Sequence, residues 1–428
     1  MKTGRGSKIS KPWVAVVMIL AILPFAAIAA YTATVNEQLN QARKDWEFLE
    51  AAQQGDLALV RKMLAKGADV AAKDENGGTA LLRAARGGHV EVARLLIAKG
   101  ADVNVADKSD ETALIHAVTG GHLELVALLI QKGADVNAHR PGAMSALMKA
   151  ACYDGAEVVR LLLDKGADVN AKNYWGETAI VCAASRGNRE LVTLLRGRGA
   201  TMTLGIATML GDIEEVQRLI QQGVDVNAQH PPPPGSTALM IAANKGNLDL
   251  VRLLVDSGAD VNESAGFPGF RYSALSQAVT KGHLEVVKLL LDKGANVTHE
   301  DSEHGTVLMQ AVSRGSLELV KLLILKGVDV NASDVEGSTA LISAARRGNL
   351  VIVRLLIDHG ANVNAKAHYG ATALMAAAQN GHLDVVKLLI AKEADVNART
   401  RDNQTALSAT QEGGHAEVAR YLKEHGAK

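Results

Sequence analysis

From Trp46 onward the sequence repeats itself, and this repetition restricts the fold more than any other feature. The segments that open the repeated units read TALLRA, TALIHA, SALMKA, TAIVCA, TALMIA, SALSQA, TVLMQA, TALISA, TALMAA and TALSAT. Each of them is followed by a turn of small residues and by a second stretch with helical apolar periodicity. A unit of two short helices can bury its apolar face only against its neighbours, so the sequence predicts stacked helix pairs.

The spacing of the units separates a constant part from a variable part. The helix-pair part spans 21 positions in every unit, whereas the loop to the next unit varies in length. This loop spans 12 positions from Gly166 to Thr178, but only 3 from Gly199 to Met202. We interpret the variable part as a projecting β-hairpin, called the finger below. The unit that opens at Met202 is therefore predicted to lack its finger, at residues 200–202.

The opening segments and the period resemble those of the ankyrin-repeat family, whose units open with T-P-L-H-x-A and recur about every 33 residues. The resemblance covers residues 46–428 in twelve units, with alanine in place of the usual proline after the opening threonine. It implies an all-α repeat solenoid of stacked helix pairs with projecting β-hairpin loops. It also implies a protein-binding role for the finger tips and the exposed ends of the first helices.

The first 31 residues differ from the repeats. Residues 1–12 contain four basic residues and no acidic one, and residues 13–31 contain no charged residue. We expect residues 13–31 to form an N-terminal hydrophobic helix, as either a transmembrane signal-anchor or a signal peptide that is cleaved near Ala29. Both alternatives place the repeats outside the cytoplasm, because a basic flank stays on the cytoplasmic side. Residues 32–45 are predicted to be a short linker.

Composition and motifs argue against catalysis and against a nucleic-acid partner. The chain has 46 basic and 46 acidic residues, so no net charge attracts a polyanion. The sequence has no G-x-S-x-G, H-E-x-x-H or P-loop motif. We therefore predict a monomeric protein without catalytic residues, cofactor or metal. The segment THEDSEHG at residues 298–305 could hold a divalent cation, and the alternative that we favour is a solvated loop.

Some recurring residues are predicted to be structural. Asn104, just after a second helix, is suited to bonding neighbouring backbone groups. Cys152 and Cys182 occupy different positions in adjacent units, which argues against a disulfide, although an oxidising compartment would permit one. Five histidines at the start of second helices are each expected to bond backbone groups of their own turn. These are His89, His122, His283, His382 and His415.

A row of cations predicts the binding surface. The seventh and eighth positions after each opening residue are rich in basic residues and include one acid, Glu412. We predict that this row lines a positive groove that binds an acidic peptide or protein face. The alternative is that these side chains only keep the surface soluble. The row consists of Arg86, Arg186, Lys245, Lys281, Arg314, Arg346 and Arg347.

The unit without a finger has Met209 and Leu210 at the same two positions. We predict that the missing finger opens a slot that exposes both residues as the centre of an interface. The alternative is that they pack beneath displaced neighbours. Aromatic residues on the neighbouring fingers are predicted to anchor the same partner. These are Tyr174, Trp175, Phe267, Phe270 and Tyr272.

Together these features predict a non-catalytic scaffold that is exported or membrane-anchored and binds a protein partner. The membrane would be contacted through residues 13–31 if they are not cleaved. One alternative is a regulatory or inhibitory partner of an exported enzyme. Another is a secreted factor that acts on another cell, which requires cleavage near Ala29.

Overall fold

The chain folds into short helices that follow one another in pairs. It divides into two compact units, residues 1–171 and 172–428. The described part holds 24 helices and three two-stranded sheets. The computed structural model describes residues 25–230, 235–267, 270–297, 300–301 and 305–428.

The described part of the first unit contains four helix pairs. Its helices are α1 (Phe25–Gln54), α2 (Leu57–Ala65), α3 (Ala80–Gly87), α4 (Val90–Ala98), α5 (Ala113–Thr119), α6 (Leu123–Gln131), α7 (Ala146–Cys152) and α8 (Ala156–Asp164). The segment predicted as a linker, residues 32–45, is helical and runs without a break into the first pair as part of α1.

The predicted hydrophobic helix at residues 13–31 lies outside the described residues as far as residue 24. Its remaining residues form the beginning of α1. In the part of the chain that the structure describes, no helix combines the length and the apolar character needed to cross a membrane.

The second unit contains eight helix pairs among its described residues. The first eight helices are α9 (Ala179–Ser185), α10 (Arg189–Gly197), α11 (Leu204–Leu210), α12 (Ile213–Gln221), α13 (Ala238–Lys245), α14 (Leu248–Asp256), α15 (Ala274–Lys281) and α16 (Leu284–Asp292). The last eight are α17 (Val307–Arg314), α18 (Leu317–Leu325), α19 (Ala340–Arg347), α20 (Leu350–Asp358), α21 (Ala373–Gln379), α22 (Leu383–Ala391), α23 (Ala406–Gly413) and α24 (Ala416–Glu424).

The first helix of each helix pair begins and ends at residue types that recur from pair to pair. Before α13, the side-chain oxygen of Thr237 accepts a hydrogen bond from the backbone N–H of Met240. After α13, Gly246 adopts the left-handed conformation, with φ of 72°. A side-chain cap and a left-handed glycine satisfy the backbone groups that a short helix leaves unpaired at its ends. The recurring threonine and glycine therefore set the length of the first helix.

The core of the second unit is built from small and branched apolar residues at repeating positions. Ala242 and Ala243 in α13 are fully buried, and their small side chains let neighbouring first helices lie close together. Leu254 in α14 is also fully buried against them. Such contacts continue from Leu204 to Leu422 as one apolar cluster. Each pair is thus held by its neighbours, as the repeat pattern predicts.

Asparagines that follow the second helices connect neighbouring helix pairs. The Nδ2 of Asn331 donates to the backbone carbonyl of Gly360 at 2.9 Å, and its Oδ1 accepts from the backbone N–H of Asn362 at 2.7 Å. The same two contacts are made by Asn104, Asn137, Asn227, Asn262, Asn364 and Asn397. Asn104 thus bonds backbone groups as predicted, but those of the next helix pair and not those beside it in sequence.

The histidines that begin second helices also bond backbone groups, but those of the preceding pair. The Nε2 atom of His89 lies 2.8 Å from the carbonyl oxygen of Gln53, and that of His382 lies 3.0 Å from the carbonyl oxygen of Arg346. The prediction of bonds within the same turn is wrong, because the ring reaches across to the neighbouring first helix. The same contact is made by His122 and His283.

Three successive fingers form antiparallel sheets. The strands are β1 (Gln229–His230), β2 (Ser236–Thr237), β3 (Ser264–Phe267), β4 (Phe270–Ser273), β5 (Glu300–Asp301) and β6 (Gly305–Thr306). Strand β2 contacts β3, and β4 contacts β5, so the three hairpins lie side by side. The fingers before α3, α5 and α19 contain a single isolated bridge instead.

No strand lies between α10 and α11, which are joined by residues 198–203. The helix α11 begins one residue later than the sequence spacing indicates, because its cap is Thr203 and not Met202. The Oγ1 of Thr203 accepts a hydrogen bond from the backbone N–H of Ile206 at 3.3 Å. Methionine has no oxygen that could accept this bond.

Both cysteines, Cys152 and Cys182, are disulfide-bonded, and neither is a free thiol. The prediction that argued against a disulfide is therefore wrong. Side chains at the seventh position of one unit can meet those at the fourth position of the next, as Asn244 and Gln277 do in their hydrogen bond.

Candidate functional site

The ends of the first helices in residues 172–428 carry a row of exposed cations. Among the described residues, no carboxylate oxygen lies within 4.0 Å of their side-chain nitrogens. The row comprises the predicted residues Arg186, Lys245, Lys281, Arg314, Arg346 and Arg347. Arg86, the predicted member of the row in residues 1–171, is also exposed.

Most lysines on the second helices of residues 172–428 and at their ends form ion pairs. Lys293 lies 2.8 Å from Asp256, and Lys326 lies 2.7 Å from Asp292. Lysines in α16, α18 and α22 pair with acids of their own helix in the same way. The first-helix ends of residues 172–428 thus form a row of cations without an ion pair among the described residues, whereas the second helices carry both paired cations and unpaired ones such as Arg252 and Arg354.

A cavity of about 260 Å³ lies in this face. Its buried lining is largely apolar and consists of Met209, Ser236, Met240, Ile241 and Tyr272. Its outer lining is polar and consists of Ser185, Asn244, Lys245 and Gln277. The cavity therefore combines an apolar interior with a polar rim that carries one cation.

Met209 is 7% exposed, so the prediction that the missing finger leaves it open to solvent is wrong. Leu210 is half-buried, and its carbonyl oxygen accepts a hydrogen bond from Arg189. Part of the space beside α11 is filled by the next finger, because the ring of His230 packs against Gly205. The side chain of Met209 nevertheless lines the cavity, where its Sδ lies 3.8 Å from the Oγ of Ser185.

Hydrogen bonds hold the wall of this cavity in place. The hydroxyl groups of Tyr272 and Ser236 lie 2.9 Å apart. Burial raises the pKa of Tyr272, and the hydrogen bond with Ser236 opposes that shift in part. The phenol is therefore neutral at neutral pH. The amide of Asn244 donates to the side-chain oxygen of Gln277, which joins α13 to α15.

A second cavity, of about 450 Å³, lies on the other side of α15. Arg314 donates to the backbone carbonyl of Thr280 at 2.8 Å, and the hydroxyl of Thr280 donates to Gln310 at 3.1 Å. Asp334 is engaged by the backbone N–H groups of its own finger at 2.8 and 2.9 Å. The lining is mostly polar and consists of Thr280, Met309, Gln310, Ser313, Arg314, Asp334, Ser343 and Arg347.

The predicted aromatic anchors do not form one exposed cluster. Tyr174 and Trp175 are 83% and 52% exposed, and their rings meet edge to face with centroids 6.3 Å apart. Tyr272 is buried in the wall of the first cavity. Phe267 and Phe270 pair with each other in the backbone register of β3 and β4. Among the predicted anchors whose side chains the structure describes, Tyr174 and Trp175 therefore offer exposed aromatic surface and Tyr272 does not.

A partly buried cluster of polar and ionisable side chains around His116, in residues 1–171, escaped the sequence analysis. The Nε2 of His116 lies 3.1 Å from an Asp107 oxygen, and its Nδ1 lies 3.5 Å from a Glu111 oxygen. Burial lowers the pKa of His116, and the hydrogen bond to Asp107 opposes this effect. Lys149 also contacts Glu111. Histidine at the fifth position of TALIHA, after a finger that contains Asp107 and Glu111, is the signal that could have found this cluster.

Asp107, Glu111 and His116 have the chemistry of metal ligands, and their candidate ligand atoms lie within 4.8 Å of one another. The amine of Lys149 already pairs with one oxygen of Glu111, so one of the two carboxylates in this set is engaged by a cation of the protein. The other cation site considered in the sequence, residues 298–305, lies mostly outside the described residues.

Comparison with known proteins adds a family match to this geometry. A protein-family model described as ankyrin repeats (3 copies) matches residues 48–140, 137–205, 204–301 and 308–400. The chain is also 39% identical over 71 residues to mitochondrial disaggregase from Bos taurus and from Homo sapiens. These residues make up 17% of this chain and 10% of each relative, so the chain spans about a tenth of the length of the curated relatives it matches.

Proposed function

Because the chain belongs to the ankyrin-repeat family, whose members generally bind protein partners and are generally non-catalytic, we propose that it is an interaction scaffold. We propose that it has twelve units and that the eight in residues 172–428 bind an acidic protein segment along their first helices. That face, with its cation row and two cavities, is called the groove below. The row of cations without described carboxylate partners is the observation that carries this proposal.

Charge complementarity favours an acidic partner over a neutral one. Cations that share a face raise the local concentration of an approaching anionic segment and speed its association. The apolar interior of the first cavity adds contact area that charge alone does not give. Tyr174 and Trp175 are exposed on the finger before α9, and we propose that they contact the partner at one end of the groove.

We also propose that the repeats function outside the cytoplasm. The basic residues 1–12 followed by the uncharged residues 13–31 support export, and disulfide-bonded cysteines persist in oxidising compartments. Sequencing the N-terminus of the mature chain separates the two forms of export. A chain that begins at Ala30 is secreted or periplasmic, and a membrane-bound chain that retains residues 13–31 is anchored. A cytoplasmic chain with reactive thiols would contradict export.

Site-specific crosslinking in the producing cell tests the binding role. We expect a photoreactive residue at Lys281, in the groove, to capture a protein partner in a discrete adduct. The matched control places the same residue at the exposed Arg252 on α14, away from the groove, where we expect no such adduct. Equal capture at both positions, or none at Lys281, would contradict docking in the groove. The identity of the captured protein decides whether the partner is an exported enzyme.

A further inference from the structure

We infer that the groove recognises an extended peptide segment that carries one large apolar side chain and one acidic group, about five or six residues apart. The apolar side chain enters the cavity beside Met209, and the acidic group meets Arg314 and Arg347. This inference rests on the proposed function, because it specifies the segment that the groove binds.

The first cavity has the size and lining for an apolar side chain. Its volume of about 260 Å³ exceeds the roughly 150 Å³ in which an apolar cavity already holds benzene. Met209 and Met240 contribute flexible, polarizable side chains, which adapt to the shape of a bound group. The polar groups deepest in the wall, Tyr272 and Ser236, are already bonded to each other. An apolar group can therefore enter without leaving these hydroxyls unpaired.

The second cavity has the lining for a carboxylate. Arg314 and Arg347 both line it, and a guanidinium binds a carboxylate through paired N–H groups. The hydroxyls of Ser313 and Ser343 offer further donors. The one acid in the lining, Asp334, accepts hydrogen bonds from its own finger and holds that turn. The cavity thus presents cations and hydroxyls to an entering anion.

The distance between the cavities follows from the helices that form them. The first cavity is lined by residues of α9, α11, α13 and α15, and the second by residues of α15, α17 and α19. Four of the nine lining residues of the first cavity lie on α13, and four of the eight of the second lie on α17, so we measure between these two helices, which are two helix steps apart. With about 8–10 Å per step, the separation is roughly 16–20 Å. An extended chain advances about 3.3–3.6 Å per residue and covers this distance in five or six residues.

Synthetic peptides test this spacing with the full chain. The probes are fluorescein-labelled peptides with one leucine and one glutamate, held apart by glycine–serine spacers and made in both chain directions. We expect a separation of five or six residues to bind about tenfold more tightly than a separation of two or of twelve. Replacing leucine by serine, or glutamate by glutamine, should each weaken binding by about tenfold. Fluorescence anisotropy at low salt measures these affinities.

Protein variants assign the two contacts to the two cavities. Ser185→Trp places a bulky side chain at the exposed edge of the first cavity and should abolish the preference for leucine over serine. Arg314→Glu with Arg347→Glu should abolish the preference for glutamate over glutamine. The control Arg354→Glu reverses a charge on the exposed face of α20 and should leave both preferences unchanged. Circular dichroism verifies that each variant is folded.

The outcomes separate this inference from the proposed function. If glutamate strengthens binding equally at every separation, the two-cavity motif is overturned while an acidic partner for the groove stands. A preference for the separation of twelve would replace the extended segment by a helical one and would also overturn the inference. If no peptide with glutamate binds better than its glutamine counterpart, the positively charged groove itself fails as a docking face.

Discussion

Single residues determine how the helix pair that lacks a finger, α11 and α12, packs against its neighbours. His230 is 8% exposed, and its ring lies against Gly205 in α11, where a side chain would collide with it. The Nε2 of His230 has no hydrogen-bond partner among the described residues. Glu215 in α12 is paired with Arg196 and Arg218, and its pair with Arg196 joins α12 to α10.

Substituting Gly205→Ala should destabilise the fold by about 1–3 kcal/mol, because overpacking a buried contact displaces its neighbours. The new Cβ would lie 2.6 Å from the Cγ of His230. Gly197→Ala in α10 is the matched control, since a Cβ there meets no atom within 4 Å and alanine favours a helix. Urea unfolding followed by circular dichroism measures both variants. Equal stability of Gly205→Ala and the unmodified chain would refute this account of the packing.

Stability should fall as the pH drops below about 6.5. Burial lowers the pKa of His230 and of His116 below the ordinary value of 6.5, so the unfolded chain binds protons more readily than the folded one. The stability that His230 and His116 contribute is complete above pH 6.5 and is lost as the pH falls toward their pKa values in the folded chain. The lowered pKa of Glu215, caused first by its hydrogen bond with Arg218, acts with the same sign below 4.5.

Thermal unfolding between pH 5 and 8 tests this linkage. The variant His230→Phe removes one of the two buried histidines and should lose less stability than the unmodified chain over this range. An unchanged slope in this variant would show that His230 does not titrate differently in the folded and unfolded states.

At the scale of the elements, polar contacts repeat with the same period as the helices. An asparagine that follows a second helix bonds both a backbone carbonyl and a backbone N–H of the next helix pair. A histidine at the start of a second helix bonds a backbone carbonyl of the preceding pair. These bonds fix the spacing of neighbouring pairs, whereas the apolar core supplies most of the attraction. Repeated bonds of this kind make the stacking regular.

Replacing Asn331→Ala should cost about 1–2 kcal/mol, because two hydrogen bonds of roughly 0.5–1.5 kcal/mol each are lost near the surface. Asn331→Asp is the matched variant, since it keeps the acceptor for Asn362 but removes the donor to Gly360. Its loss in urea unfolding should be about half as large. If both variants are as stable as the unmodified chain, this contact contributes nothing to stacking.

Most of the helical framework could be predicted from the sequence, because its determinants are local. The threonine that caps the first helix, the glycine that ends it and the apolar periodicity all lie within one repeat. The burial of Met209 and the position of His230 were not predictable in this way, because they depend on how a neighbouring finger fills the space beside α11. In the His116 cluster, Asp107 and Glu111 lie close to His116 in sequence and could have been found, whereas Lys149 comes from the next repeat.

At the scale of the whole molecule, a chain with 46 basic and 46 acidic residues distributes its charge unevenly. Lysines such as Lys293 and Lys326 are paired with acids, and the cations of the groove are not paired with any described carboxylate. Exposed ion pairs contribute little to stability, and the groove cations therefore cost the fold little when they are left unpaired.

Reversing two charges in the groove should weaken attraction to an acidic polypeptide much more than reversing two charges on the second helices. On a surface coated with poly-L-glutamate, we expect Lys281→Glu with Arg314→Glu to bind at least tenfold less at low salt. The matched control, Arg252→Glu with Arg354→Glu, changes the net charge equally on the second helices. Salt should reduce binding of the unmodified chain, because it screens exposed charges. Equal effects of the two double variants would mean that only the net charge matters.

The helix pairs of constant length carry the folding of this chain, and the fingers of varying length carry its binding preference. Most globular folds combine these two properties in the same elements. Removing a finger at residues 200–202 leaves α10 and α11 stacked in sequence with their neighbours. Binding preference in such an architecture can be rewritten by lengthening, shortening or deleting loops, while the machinery of folding is left alone. This makes the chain a natural starting framework for engineering new recognition, one loop at a time.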